Sequence, residues 1–215
     1  MVDRGRRVEI TVLFALGVML VALVLATLTG CEGTSDRPAP TTALVVRPTT
    51  SDTATAPNGL DVLFAKMMVA HHAQAVTMSQ TLLAKPGVPE RAANIAGFIA
   101  HDQRREIDEM NAWLRAWGQP PVDPADPAVT RLHGPDAGHG ILTATQLAEI
   151  GRAAPATATR LYLQHMIEHH RGAITMARSA LDGGTNAYIR GLAKHVINEQ
   201  SAENDAMSRL LKEPG

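Results

Sequence analysis

The stretch Met68-Val-Ala-His71-His72-Ala-Gln-Ala75-Val-Thr77-Met78 returns ninety-eight residues later as Met166-Ile-Glu-His169-His170-Arg-Gly172-Ala173-Ile-Thr175-Met176. Methionine and histidine number nine each in 215 residues, so the same four falling twice at one spacing marks a duplication. The duplication extends outward. Asp102-Gln103-Arg-Arg-Glu106, with Met110 beyond, is matched at an offset of ninety-seven by Glu199-Gln200-Ser-Ala-Glu203 and Met207. Each repeat therefore joins a Met/His segment to a Gln/Glu/Met segment.

Apolar residues in these segments recur at helical rather than strand spacing, in a chain rich in alanine and poor in aromatics. The pattern predicts four long helices. The first runs over Leu60–Ala84 and stops at Lys85-Pro86-Gly87; the second runs over Pro89–Trp117 and ends at Gly118 and Pro120-Pro121. The third, Pro155–Leu181, closes at Gly183-Gly184, and the fourth covers Thr185–Leu211. Between the pairs, Thr143-x-x-Gln146 reads as the capping box of a short helix through Ile150. Two duplicated helical hairpins pack most simply as an all-α four-helix bundle with a pseudo-twofold axis and a long crossover, here residues 59–215. That is about one domain's worth of chain.

Residues 1–30 read as a targeting segment: a basic start (Arg4, Arg6, Arg7), an apolar run from Val8 to Leu28, and the ending Leu28-Thr29-Gly30-Cys31. The ending resembles the lipobox of bacterial lipoproteins, which implies a lipid on the Cys31 sulfur and cleavage before it. The alternative is an uncleaved membrane anchor, since about 20 apolar residues can span a bilayer. Both place the rest of the chain outside the cytoplasm, held at a cell membrane. Cys31 is the only cysteine, so a lipidated chain keeps no thiol for disulfides, thiolate metal sites or catalysis. Without residues 1–30 there remain 17 basic and 19 acidic residues, which gives no basic footprint for nucleic acid. Residues 31–58, rich in Thr, Pro, Ala and Ser, read as a tether.

At about 100° per residue, Met67, Met68, His71, His72, Ala75 and Met78 share one broad helix face. His165, Met166, His169, His170, Ala173 and Met176 take the same angles, His165 standing where Met67 does. On the partner helices Gln103, Glu106 and Met110 fall in the stripe of Ile99 and Leu114, and Gln200, Glu203 and Met207 in that of Val196 and Leu211. Polar groups inside an apolar stripe must be satisfied by something. Imidazoles of the neighbouring helix are one answer, and a metal ion behind them is another.

A di-iron bundle needs Glu-x-x-His on two helices, and this chain has none; Glu168 falls off the ligand face. Structural zinc usually recruits cysteine. Thioether with imidazole suits copper, Cu(I) above all, while imidazole alone also holds Cu(II). Met68, His71, His72 and Met78 are the expected ligands in one repeat, and Met166, His169, His170 and Met176 in the other. Gln103, Glu106, Gln200 and Glu203 would orient the imidazoles, with Met67, Met110, His165 and Met207 as further candidates. His133 and His139 in the link are either accessory ligands or, as is commoner for loop histidines, solvated residues.

These motifs resemble the bacterial family known as domain of unknown function 305, whose pattern joins Met-x-x-His-His-x-x-Ala-x-x-Met to a downstream Gln-x-x-Glu-Ile-x-x-Met-x-x-Trp-Leu. Here the second part reads Gln103-Arg-Arg-Glu106-Ile107-Asp-Glu-Met110-Asn-Ala-Trp113-Leu114. The resemblance covers about residues 60–211 and implies a ferritin-like bundle, export and, in some members, copper binding and tolerance. Similar sequences often carry a Met-rich link and an acidic residue entering the second His helix. This chain has His133, His139 and Ile141 in the link and Thr159 near the acidic position.

Three functions fit these residues. The first is a lipid-anchored copper-binding protein that buffers or relays copper, with a copper-handling protein as a partner. The second is a metal-dependent oxidoreductase, which needs an open coordination position; no acid/base or nucleophile constellation accompanies the metal set. The third is a metal-free bundle that binds a protein or lipid, its His/Glu/Gln network serving only as internal bonding.

Overall fold

The computed structural model describes residues 55–124, 126, 133 and 139–213; the signal and residues 31–54 of the tether, with Cys31, lie outside these. Its helices are α1 (Gly59–Leu83), α2 (Glu90–Ala116), α3 (Ala144–Arg152), α4 (Pro155–Gly183) and α5 (Ala187–Lys212). All five were expected from the sequence, and no strand occurs among the described residues.

Local chemistry sets the helix starts. Asn58 caps α1 by accepting from the Leu60 and Asp61 amides, while Asp61 accepts from the Asn58 amide at 2.8 Å. Thr143 and Gln146 form the expected capping box on α3. Pro155 stands in the first turn of α4, where its missing N–H leaves no bond unmade. Asn186 caps α5 by accepting from the Tyr188 and Ile189 amides.

α1 lies along α2 and α4 along α5, forming two hairpins; the hairpins meet chiefly through α1 and α4, with α3 against both. α1 and α4 run antiparallel. At one end the Asn58 amide nitrogen donates to the Gly183 carbonyl at 2.8 Å, and at the other Ser79 and Tyr162 share a buried hydroxyl bond of 3.0 Å. The Asp61 carboxylate, fully buried, also accepts from the Thr185 amide and hydroxyl and from the Asn186 amide, so one acid ties the starts of α1 and α5.

The apolar interior divides into two clusters. One holds Met67, Met68, Met110, Met176 and Val196, the other Met78, Met166, Met207, Ile99 and Tyr162. Along both α1 and α4 the twin histidines fall between the segments that feed these clusters. A polar layer thus separates two apolar ones.

Candidate metal centre

His71 and His169 occupy equivalent positions in the two repeats, and the antiparallel packing of α1 on α4 brings them face to face, ring centroids 3.6 Å apart. Neighbouring residues on a helix point about 100° apart, so His72 and His170 turn away from this pair towards the partner helices. His72 Nε2–H donates to Glu106 Oε2 at 2.6 Å and His170 Nε2–H to Glu203 Oε2 at 2.7 Å. Each glutamate thus faces the second histidine of its own repeat. Gln103 and Gln200 are buried as expected, but they make no hydrogen bond to an imidazole among the described residues, and each keeps a buried Oε1 without a partner. That part of the expectation is corrected.

The link joins the layer. His133 is buried, its ring 5.7 Å from that of His71, and its Nε2–H donates to the Met67 carbonyl at 3.1 Å. The His139 ring lies 5.6 Å from His133, and its carbonyl accepts from His71 Nε2 at 2.8 Å. The solvated-loop reading of these two histidines is thereby set aside. Two features dock the link. Gln74 of α1 exchanges two bonds with the Leu142 backbone, at 2.7 and 3.0 Å. On α4 the matching position is Gly172, where a Cβ would come within 1.8 Å of the His139 carbonyl oxygen; at Gly140, with φ +70, a Cβ would come within 2.3 Å of the Glu168 carbonyl oxygen. His139 and Gly140 lie this close to α4 only because Gly172 has no side chain.

The expected grouping of ligands repeat by repeat is not what the fold assembles. Antiparallel packing puts Met68 in one apolar cluster with Met176, and Met78 in the other with Met166. Each methionine pair is drawn from both repeats, because α1 and α4 cross at their histidines. Met68, Met78, Met110, Met166 and Met207 are fully buried, Met67 and Met176 nearly so. His165 is half-buried, with a buried and unpartnered Nε2. Glu168 is exposed and pairs with Arg171, off the ligand face as expected. Thr159 bonds its own helix at the Pro155 carbonyl.

The electrostatics single out the layer. Burial holds the His71 and His169 imidazoles well below their ordinary pKa, and burial together with His139 brings His133 down to about 4. These three rings are neutral at physiological pH, each with a lone pair to give. In His71 and His133 that lone pair is on Nδ1, since Nε2–H donates to a backbone carbonyl; His72 and His170 likewise turn Nδ1 away from the carboxylate that Nε2 faces. All four Nδ1 atoms are buried without a hydrogen bond, as are His139 Nδ1 and both nitrogens of His169. An unsatisfied buried polar group costs about 1–3 kcal/mol, and native interiors keep few of them. A soft or borderline cation accepted by imidazole lone pairs fits this donor set.

Domain of unknown function (DUF305) matches residues 61–211. The chain belongs to this family. Solved structures agree with the assignment. A DUF305 fragment from Deinococcus radiodurans is 28% identical, with a TM-score of 0.62 over 72% of this chain and 96% of that one. A putative secreted DUF305 protein from Streptomyces coelicolor is 30% identical, with a TM-score of 0.61 over 71% and 90%. CopM in its Cu(I)-bound form is 28% identical, with a TM-score of 0.56 over 70% and 94%, and that protein is also known in Cu(II)-bound and Ag-bound forms. No curated protein sequence matches.

In this DUF305 chain the two carboxylates hold the rings of His72 and His170 by Nε2, with Nδ1 turned away from them. Replacing Glu106 and Glu203 together with Gln is expected to lower Cu(I) affinity by about 10–100-fold with helical content unchanged. A competition titration beside far-UV circular dichroism checks this.

Proposed function

We propose that this protein binds copper outside the cytoplasm, held at a membrane by a lipid on Cys31, and buffers or relays the ion. The observation that carries the copper reading is the buried layer of imidazoles meeting at the repeat axis with unpaired nitrogens. The Cu(I)-bound, Cu(II)-bound and Ag-bound forms of CopM, a structural neighbour at 28–29% identity, support it. In this reading the four long helices complete a ferritin-like four-helix bundle. Cu(I) is the favoured cargo, with Cu(II) a second state that the imidazoles can hold. His71, His72, His169 and His170 supply nitrogen, with Met68, Met78, Met166 and Met176 the candidate thioethers above and below. The targeting segment and its single cysteine support the anchor.

Copper K-edge X-ray absorption on the Cu(I)-loaded full-length chain tests the ligand set. Imidazole scattering with a sulfur shell is the expected result. A spectrum of oxygen ligands without imidazole would overturn the assignment.

A further inference from the structure

Outside the histidine layer, α2 and α5 bring a second group of titratable side chains together. Asp102 and Glu106 on α2, with His195 and Glu199 on α5, each direct one ligand atom into the same space, and the four atoms all lie within 4.8 Å of one another. No other set of three or more His, Asp or Glu does this among the described residues.

The contacts within the set turn polar atoms of opposite helices towards one another. His195 Nε2 stands 3.1 Å from Glu106 Oε1 and 3.0 Å from Glu199 Oε2. Glu106 is 1% exposed, yet its Oε1, aimed into the set, has no hydrogen bond. Its other oxygen is already taken by His72. Arg105 occupies only Oδ1 of Asp102, at 3.0 Å from Nε. Asp102, Glu106 and Glu199 face one another with their ligand atoms within 4.8 Å, so the acids repel unless a cation or proton lies between them. A cavity of about 350 Å³ adjoins two members of the set, Glu106 and His195, with Arg105, Glu109 and Tyr188 also in its wall.

The set also breaks the repeat symmetry. Asp102 and Glu199 are repeat equivalents, as are Glu106 and Glu203, but the equivalent of His195 is Phe98, an exposed phenylalanine. A nitrogen ligand has been placed on one side only.

We propose that Asp102, Glu106, His195 and Glu199 form a second cation site, separate from the histidine layer, for a divalent transition ion of the Zn(II) and Mn(II) class. Three carboxylates and one imidazole, with no sulfur, suit such an ion and do not suit Cu(I). The site stands whether or not the layer binds copper, since Glu106 is the only residue common to both.

The test uses the full-length chain in detergent, stripped of metal and titrated with Zn(II) and with Mn(II) against a competing chelator. His195→Phe, which copies the other repeat, and Glu199→Gln are compared with the parent, with circular dichroism and a Cu(I) titration run alongside. The expected result is the loss of one divalent equivalent, or a weakening of about tenfold or more, with fold and Cu(I) capacity unchanged. Divalent isotherms for both variants that superimpose on the parent's would overturn the proposal, as would a parent that binds neither ion. Failure of the copper reading would show separately, as a parent that takes up no Cu(I).

Discussion

His169→Leu is expected to stabilise the metal-free chain while removing its response to Cu(I). Both ring nitrogens of His169 are buried without a hydrogen bond, so the substitution breaks no bond and removes two unsatisfied polar atoms. Leucine fills comparable space in the buried layer. The expected gain is about 1–3 kcal/mol, at about 2–4 °C of unfolding midpoint per kcal/mol for a domain of this size. The cost falls on binding, because the ring facing His71 is gone. Thermal unfolding with a chelator and then with Cu(I) reads both effects, since a ligand that binds only the folded state raises the midpoint. A metal-free variant less stable than the parent would show that the His169 nitrogens are satisfied without metal. Opposite signs for stability and binding are what a site that stores unsatisfied groups for its ligand should give.

Gly172→Ala is the second large effect. The new Cβ would meet the His139 carbonyl oxygen at 1.8 Å and its carbon at 2.0 Å, so the link must lift off α4. His71 Nε2 then loses its 2.8 Å acceptor, and His133 and His139 lose their place in the layer. We expect a loss of about 1–3 kcal/mol of stability, as for other overpacked sites, and weaker Cu(I) binding. Gly97→Ala in α2 is the control, because nothing lies within 4 Å of its Cβ direction; there the helix should gain about 0.5–1 kcal/mol. Denaturant unfolding of the two variants should move in opposite directions. If both move alike, the docking of the link on Gly172 is not what holds it.

The sequence reached the helices because helix formation is a local property. Helical periodicity and caps such as Thr143 are written within a few residues. The pairing of His72 with Glu106 recurs as that of His170 with Glu203, as a duplication should give. What it did not show depends on the packing of one hairpin on the other. Met68 was expected with Met78, yet antiparallel crossing sends them to different clusters, and periodicity on one helix carries no information about that crossing. The link was opaque because its placement rests on a missing side chain at Gly172, which reads as an unremarkable helical glycine until the link is seen against it. His195 gave no signal, since its repeat equivalent is Phe98 and duplication was the guide. Asp61 stands in the first turn of α1, yet its bonds to Thr185 and Asn186 span more than 120 residues.

The most direct test is an anaerobic titration of the full-length chain with Cu(I) against a competing chelator, repeated after His71, His72, His169 and His170 are replaced together. The account predicts tight binding by the parent, lost in the quadruple variant while circular dichroism still reports the helices. Equal competition by parent and variant, or none by the parent, would contradict it and leave the duplicated histidines as architecture alone.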